Sequence, residues 1–252
     1  MMNLTLSNEK IYTGSLLLVN AEYPIQDFGE EKLLPVTEDS EIRMKREAVY
    51  ILRLIFEKID CFDSIVPVSG YRSVKEQADI YETSLQDNGE DFTRKFVAFP
   101  YHSEHQTGLA VDLGLKKEEI DFICPDFPYE GICHRFRQEA PRYGFIERYP
   151  KGREEVTGIA HEPWHFRYVG YPHSEIMSTK NLTLEEYITF IRQFPYTGKH
   201  LKWSKEGREM EIFYVPAGTA GNTRIQLPDD ICYQVSGNNV DGFVLTLQCK
   251  SV

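Results

Sequence analysis

The 252-residue sequence predicts an α+β fold: a larger domain over residues 1–178, then a helix with a small antiparallel β unit over 179–252. Three observations predict it. Helical periods alternate with short β-type runs as far as Gly170-Tyr171-Pro172, and beyond that point four β-type runs follow one another between turn residues. A content of 41% hydrophobic and 13% aromatic residues is enough core for one large domain or two smaller ones, which excludes disorder and fibrous repeats.

Taken in order, Ser15 to Asn20, with its run Leu16-Leu17-Leu18-Val19, reads as a short buried strand. Ser40 to Ile59 reads as a helix with Ala48, Leu52, Ile55 and Ile59 on its apolar side. Ile65 to Gly70 is a strand that stops at a glycine, and Ser73-Val74-Lys75-Glu76 is a capping box opening a helix through about Leu85. Arg72 therefore stands at the mouth of a strand-to-helix turn, where functional side chains are common. Gly108 to Leu115 and Phe166 to Val169 alternate as strands, and the loops between them hold a helix near Arg135 to Tyr143.

The character changes near Ser174 to Asn181, where a domain boundary is expected. Thr183 with Glu186 forms a second capping box, and Leu184, Tyr187, Ile188, Ile191 and Phe194 make an apolar helical stripe for packing. Strands at Glu211–Val215, Thr223–Leu227, Ile231–Val235 and Phe243–Cys249 complete the β unit.

Lys+Arg 28 against Asp+Glu 39 gives a net charge of −11, which argues against nucleic-acid and anionic-membrane partners. The one basic concentration, Arg135, Arg137, Arg142, Arg148, Lys151 and Arg153, is interleaved with Glu139, Glu147, Glu154 and Glu155, so a solvated face is expected. Cys61, Cys124, Cys133, Cys232 and Cys249 form no CxxC pair and read as reduced, mostly buried thiols. The start Met1 to Lys10 is polar and the apolar run after it is too short for an export or spanning segment, so the cytoplasm is the expected location.

Two clusters carry chemistry: Ser103-Glu104-His105-Gln106-Thr107-Gly108-Leu109-Ala110-Val111-Asp112 and His161-Glu162-Pro163-Trp164-His165. The second matches HExxH, in which one helix offers two histidines to zinc. Pro163 would cost such a helix roughly 3 kcal/mol, and β-type residues follow it, so a turn entering a strand is the better reading. Then His165 alone binds metal, Glu162 is the base, and His105 and Asp112, converging across a bend at Thr107-Gly108, are the other candidates. Three ligands with one open position is a catalytic arrangement. His161 is read as a neighbour, His102 as a loop residue, His134, His173 and His200 as surface or capping histidines, and Trp164 as a packing wedge.

The ordered trio SGYRS (Ser69 to Ser73), SEHQTGLAVD (Ser103 to Asp112) and EPWHFRYVG (Glu162 to Gly170) resembles the zinc D-alanyl-D-alanine carboxypeptidases of the VanY and VanXY type, and more loosely the VanX dipeptidases and the hedgehog-like fold, over roughly residues 16–171. The resemblance implies an antiparallel sheet with packed helices around a zinc cleft. It implies one Zn²⁺ held by His105, Asp112 and His165, Glu162 as base, Arg72 stabilising the oxyanion, and Gln77 and Ser103 holding the substrate's carboxylate or backbone. The implied substrates are the D-Ala-D-Ala dipeptide and the muramyl pentapeptide precursor, cleaved in the cytoplasm in glycopeptide resistance. A non-catalytic zinc-stabilised binding module, or a zincin using His161 and His165, are the alternatives, and the presence of both Glu162 and Arg72 favours the enzyme.

Overall fold

The computed structural model describes residues 1–26, 33–205, 207–219 and 221–248. In chain order its strands and helices begin with β1 (Met2–Ser7), β2 (Leu33–Pro35), β3 (Arg43–Lys45), α1 (Arg46–Ile59), β4 (Ile65–Ser69), α2 (Val74–Asn88), α3 (Glu90–Phe96) and β5 (Ala110–Leu115). Then come α4 (Gly131–Glu139), β6 (Phe145–Tyr149), α5 (Glu154–Thr157), β7 (Glu162–Tyr168), α6 (His173–Lys180) and α7 (Leu184–Ile191). β8 (Leu201–Lys205), β9 (Arg208–Pro216), β10 (Asn222–Leu227), β11 (Cys232–Gly237) and β12 (Gly242–Gln248) close the described chain. Two compact units result, Val19–Thr183 and a second one made of Met1–Leu18 with Leu184–Val252.

The first unit is built on an antiparallel sheet in the order β4-β5-β7-β6. Alternation along its strands gives it two different faces. Val111, Leu113, Phe145 and Phe166 join the core, where Ala48, Leu52, Ile55 and Phe56 of α1 and Phe136 of α4 cover them. Asp112, His165 and Arg167 occupy the intervening positions, and all three are buried as well. Among the aromatic contacts, Phe136 meets Phe166 edge-to-face at 4.8 Å.

Helix α1 starts at Arg46, six residues later than the predicted Ser40, because Arg43–Lys45 pairs with Leu33–Pro35 as a hairpin. That short strand ties two motifs together: Arg43 O accepts from Tyr71 N at 2.6 Å, and Lys45 N donates to Gly108 O at 2.7 Å. Gly70 is required there, since a Cβ would stand 2.4 Å from Arg43 O. Strand β7 also begins earlier than expected, at Glu162.

The second unit pairs β1 with β10 and orders its other strands β11-β12-β9-β8, all antiparallel. Leu6, Phe213, Val215, Ile225, Phe243 and Leu245 fill its core. The expectation that residues 1–178 form one domain differs here, because β1 pairs residue for residue with β10, from Met2 opposite Leu227 to Ser7 opposite Asn222. Within Ser15–Asn20, Leu16 to Val19 are buried as predicted, but the segment is not a strand. Its backbone bonds to a turn instead: Leu16 N to Ser236 Oγ at 2.9 Å, Leu18 N to Asn238 O at 3.1 Å, and Leu18 O from Asn239 Nδ2 at 2.8 Å. The predicted end of the last strand, Cys249, lies outside the described residues. Of the other four cysteines, all free, Cys61 and Cys133 are buried, Cys124 is half-buried and Cys232 is exposed.

Gly108 closes the turn that carries His105, at φ +70°, with Lys45 Cγ 3.1 Å and Leu33 Cδ2 3.2 Å from where a Cβ would sit. A Gly108→Ala substitution is therefore expected to destabilise the protein by about 1 kcal/mol or more. Thermal melting checks this, and an unchanged Tm would show that the turn tolerates a side chain.

Candidate metal centre and active site

The site is assembled by sheet register. Asp112 on β5 lies directly opposite His165 on β7, and Ser69 on β4 lies opposite Asp112 on its other side. Directly opposed residues share a face and have Cβ atoms about 5 Å apart. Antiparallel pairing thus brings together residues 53 positions apart without any loop adjustment. His105 joins them from the 3₁₀ turn Glu104–Thr107, which Gly108 ends in the left-handed conformation. Its Nδ1–H donates to Gly70 O at 2.6 Å, leaving Nε2 turned to Asp112 Oδ2 at 3.1 Å.

Ligand atoms of His105, Asp112 and His165 lie within 4.8 Å of one another, and all three residues are buried. Asp112 Oδ1 is 3.0 Å from His165 Nδ1 yet lacks hydrogen-bond geometry to it, so a buried anionic oxygen points into the cluster with no hydrogen-bond partner. Two imidazoles and one carboxylate converging with an orphaned oxygen fit a divalent ion such as zinc. Burial, and secondarily Arg72, pushes His105 down to about 4, so this ligand is neutral at pH 7 as metal binding requires. His165 is different: burial alone would lower it, but Asp112 and Glu104 overcome that and raise it to about 9. A cation binding here must displace that proton.

Glu162 borders the same cavity, with Oε2 3.6 Å from His165 Nδ1. Strict alternation would put it on the opposite face from His165, three residues on. The β6–β7 register shifts between Glu147 and Tyr149, and past that irregularity both Tyr149 and Glu162 line the cavity. Burial pushes the Glu162 carboxyl up to about 8; His165 opposes the rise and Asp112 adds to it. The Tyr149 ring packs on His165 at 4.9 Å.

Arg72 is oriented from three directions: Nε donates to Ser69 Oγ at 2.9 Å, NH1 to Gln77 Oε1 at 3.3 Å, and NH2 to Asp112 Oδ2 at 3.1 Å. Gln77 lines the cavity, but its amide also donates to Ala98 O at 2.8 Å, which makes it a holder of Arg72. Ser103 lines the cavity as well. His161 stands apart, its Nε2 2.7 Å from Tyr129 Oη and 3.7 Å from Glu147 Oε1. The segment after it is a strand rather than a helix, so the two histidines of HExxH do not converge.

Sequence reasoning missed what stands behind the ligands. Glu104 is fully buried, and its Oε1 accepts from Arg148 Nε and Arg167 NH1, both at 2.8 Å. Its Oε2 faces His165 Nε2 at 3.5 Å. Burial would raise the Glu104 carboxyl, but Arg167 and Arg148 outweigh it and hold the group well below the usual range. Arg148 was expected on a solvated face and is 0% exposed. Arg137 departs from that expectation too, its guanidinium bonded to Glu147 and to the carbonyls of Phe127, Pro128 and Pro163.

A family model described as VanY, D-alanyl-D-alanine carboxypeptidase, matches residues 42–171. The chain belongs to the VanY family. A bifunctional D-Ala-D-Ala dipeptidase and D-Ala-D-Ala carboxypeptidase, VanXYC of Enterococcus gallinarum, is 41% identical over 71% of this chain and 96% of that protein. A D-alanyl-D-alanine carboxypeptidase of Enterococcus faecium is 33% identical over 96% of this chain and 78% of its own. Among solved structures, the vancomycin-resistance D,D-dipeptidase VanXYg, in complex with a D-Ala-D-Ala phosphinate analogue, superposes with a TM-score of 0.96 at 55% identity over 98% of this chain and 99% of that one. A VanY D,D-pentapeptidase from a VanB-type cassette, in complex with Zn(II), matches at a TM-score of 0.57 and 28% identity over 69% of this chain and 98% of that one. The chain is accordingly a peptidase with the family's α+β fold.

Replacing Glu104 by Gln keeps its shape and removes its charge from between two buried guanidiniums and His165. The expected cost is about 3 kcal/mol of stability and a roughly 10- to 100-fold loss of zinc affinity. Chelator competition and thermal melting measure the two, with His161→Ala as the control that should retain wild-type zinc affinity. Wild-type metal affinity in Glu104→Gln would separate the cluster from the metal centre.

Proposed function

We propose that the protein is a zinc-dependent D,D-peptidase that hydrolyses free D-Ala-D-Ala and removes the terminal D-Ala from the nucleotide-linked muramyl pentapeptide, in the cytoplasm, during vancomycin resistance. One zinc per chain would be held by His105 Nε2, His165 Nδ1 and Asp112. The observation that carries this reading is the orphaned Asp112 oxygen between two buried imidazoles, with Glu162 and Arg72 on the same small cavity. The likeness to a bifunctional dipeptidase and carboxypeptidase supports both substrates, and both are made inside the cell.

Bound there, zinc supplies a Lewis acid and a water whose pKa falls toward about 7. The chain's own groups perform the rest. Glu162 accepts the proton of the attacking water as the C–O bond forms and the carbonyl electron pair moves onto oxygen, then delivers that proton to the amine nitrogen as the pair returns and the C–N bond breaks. Its carboxyl lies 3.6 Å from His165, so a cation held by that residue would draw it back down from about 8 and favour the basic form. Arg72 uses three of its donor directions on Ser69, Gln77 and Asp112, which locks the guanidinium in place before substrate arrives. Held in this way, it attracts the scissile carbonyl oxygen more strongly as negative charge develops, and so acts on the transition state more than on the ground state.

The binding-module alternative and the enzyme part company on turnover. The purified zinc-loaded protein is expected to release D-Ala from D-Ala-D-Ala and from UDP-muramyl pentapeptide, and to leave the LL dipeptide intact. Glu162→Ala should keep stoichiometric zinc while turnover falls by roughly 10² to 10⁴. Zinc binding without turnover in the wild type would leave only the binding module.

For Arg72, substitution by Ala should lower kcat more than it raises KM, with Lys restoring part of the loss because a point charge lacks the planar fork. Steady-state kinetics on the dipeptide decide the matter, and a change confined to KM would assign Arg72 to ground-state binding.

A further inference from the structure

Strand β6 advances by two residues from Glu147 to Tyr149 while β7, opposite it, advances by four from Glu162 to Phe166. Within that interval Pro163 and Trp164 have no partner in either neighbouring ladder, whereas His165 stays paired with Asp112 on β5. The extra residues form a bulge, a device that re-aims side chains beside active sites. Here it lets Glu162 and His165 line one cavity although they are three positions apart. Pro163 has no N–H to donate and so suits a place outside the ladder. Its carbonyl is taken by Arg137 of α4, whose NH2 donates to Pro163 O and to Phe127 O, each at 2.6 Å. The same guanidinium donates from NH1 to Pro128 O at 2.5 Å and from Nε to Glu147 Oε2 at 2.8 Å. It lies 3.9 Å from the centroid of the Tyr129 ring and 4.7 Å from that of Phe127, and the Tyr129 hydroxyl donates to the second oxygen of Glu147.

Arg137 does not line the catalytic cavity, yet it holds the carbonyl of the residue that follows the base. We propose that Arg137 is a positioning residue for the reaction: by taking the Pro163 carbonyl it fixes the bulge in β7, and with it the place where the Glu162 carboxylate stands relative to the metal ligands. The proposal rests on Glu162 being the base of the peptidase. It separates two parts of one strand, since β5 holds His165 through Asp112 while Arg137 holds the chain beside Glu162. Loss of the guanidinium therefore reaches the base and spares the metal. A lysine at 137 keeps the charge opposite Glu147, but a single ammonium cannot span a carboxylate and three carbonyls as the planar fork does.

The test is a double-mutant cycle on the full-length zinc-loaded protein with D-Ala-D-Ala, combining Arg137→Lys with Glu162→Ala. Arg137→Lys alone should lower kcat roughly 10- to 100-fold, the scale of a base displaced by about 1 Å, and leave KM within about twofold. Chelator competition should find its zinc affinity that of the wild type. In the Glu162→Ala background the same substitution should change turnover by less than about twofold, because the group it positions is already gone. Glu147→Gln, which leaves Arg137 in place and removes the charge beside its Nε, is the milder second variant and should move kcat in the same direction with the same dependence on Glu162. Equal falls with and without Glu162, an unchanged kcat in both variants, or a loss of zinc affinity overturns the positioning role. Wild-type turnover in Glu162→Ala overturns the base assignment instead, so the two failures are distinguishable.

Discussion

The buried carboxylate of Glu104 is the constraint on which the site depends. It sits on the turn before β5, while its partners Arg148 and Arg167 come from β6 and β7 and the facing imidazole of His165 comes from β7. Three separate chain segments are therefore held by one charge in a region that excludes water. Losing any one partner would leave an uncompensated ion there, at a cost of about 3–5 kcal/mol. The cluster thereby makes the positions of His105, next to Glu104 in sequence, and of His165, across from it in space, conditional on each other. The same carboxylate stabilises positive charge on the His165 ring and so strengthens it as a ligand once its proton has been displaced.

The sheet register completes what the charge begins. Asp112 and His165 are opposed because β5 and β7 pair antiparallel at that register, and a slip by one residue would send one of them into the apolar face with Val111 and Phe166. That apolar face is strongly specified by Phe136, Phe127 and α1, so the core holds the candidate metal ligands in register from behind. The register shifts between Pro67 and Ser69 and between Glu147 and Tyr149, and these departures are where Ser69 meets Asp112 and where Glu162 enters the cavity.

The three metal-ligand candidates were legible in the sequence because His, Asp and His types in motifs flanking a glycine bend have few structural uses in a soluble core. Helices α1, α2 and α7 were legible from periodicity, and α2 begins at the predicted Ser73–Glu76 capping box, with both of its hydrogen bonds formed. Arg148 and Arg167 were not, since one reads as part of an alternating-charge surface and the other as an ordinary strand residue between Phe166 and Tyr168. Their meaning depends on a partner 44 and 63 residues away. The same reason hid β1: Met2–Ser7 becomes a strand only through β10, whose paired residues lie from 215 to 225 positions along the chain. The apolar run Leu16–Val19 has the hydrophobicity of a buried strand and is buried without being one, because burial is written in hydrophobicity whereas the bonds of its backbone depend on a distant turn at Ser236–Asn239.

Charge balance explains why so many ions can be buried together. Glu104, Asp112 and Glu162 supply three carboxylates, and Arg72, Arg148 and Arg167 supply three guanidiniums, all within the linked network around two histidines. With the His165 proton displaced and Glu162 drawn back to its ionised form, these groups cancel among themselves, so they would not offset a divalent ion bound there. It would leave the pocket with an excess of positive charge in a medium where charge is weakly screened. A substrate ending in a carboxylate is attracted to that excess, and so is the charge that develops on its scissile carbonyl during attack. Arg72 links the two halves of the balance, touching Asp112 on one side and the open cavity on the other, and Gln77 and Ser69 keep it from folding back onto the ligand alone. The guanidinium can serve the reaction because two neutral neighbours share the work of holding it.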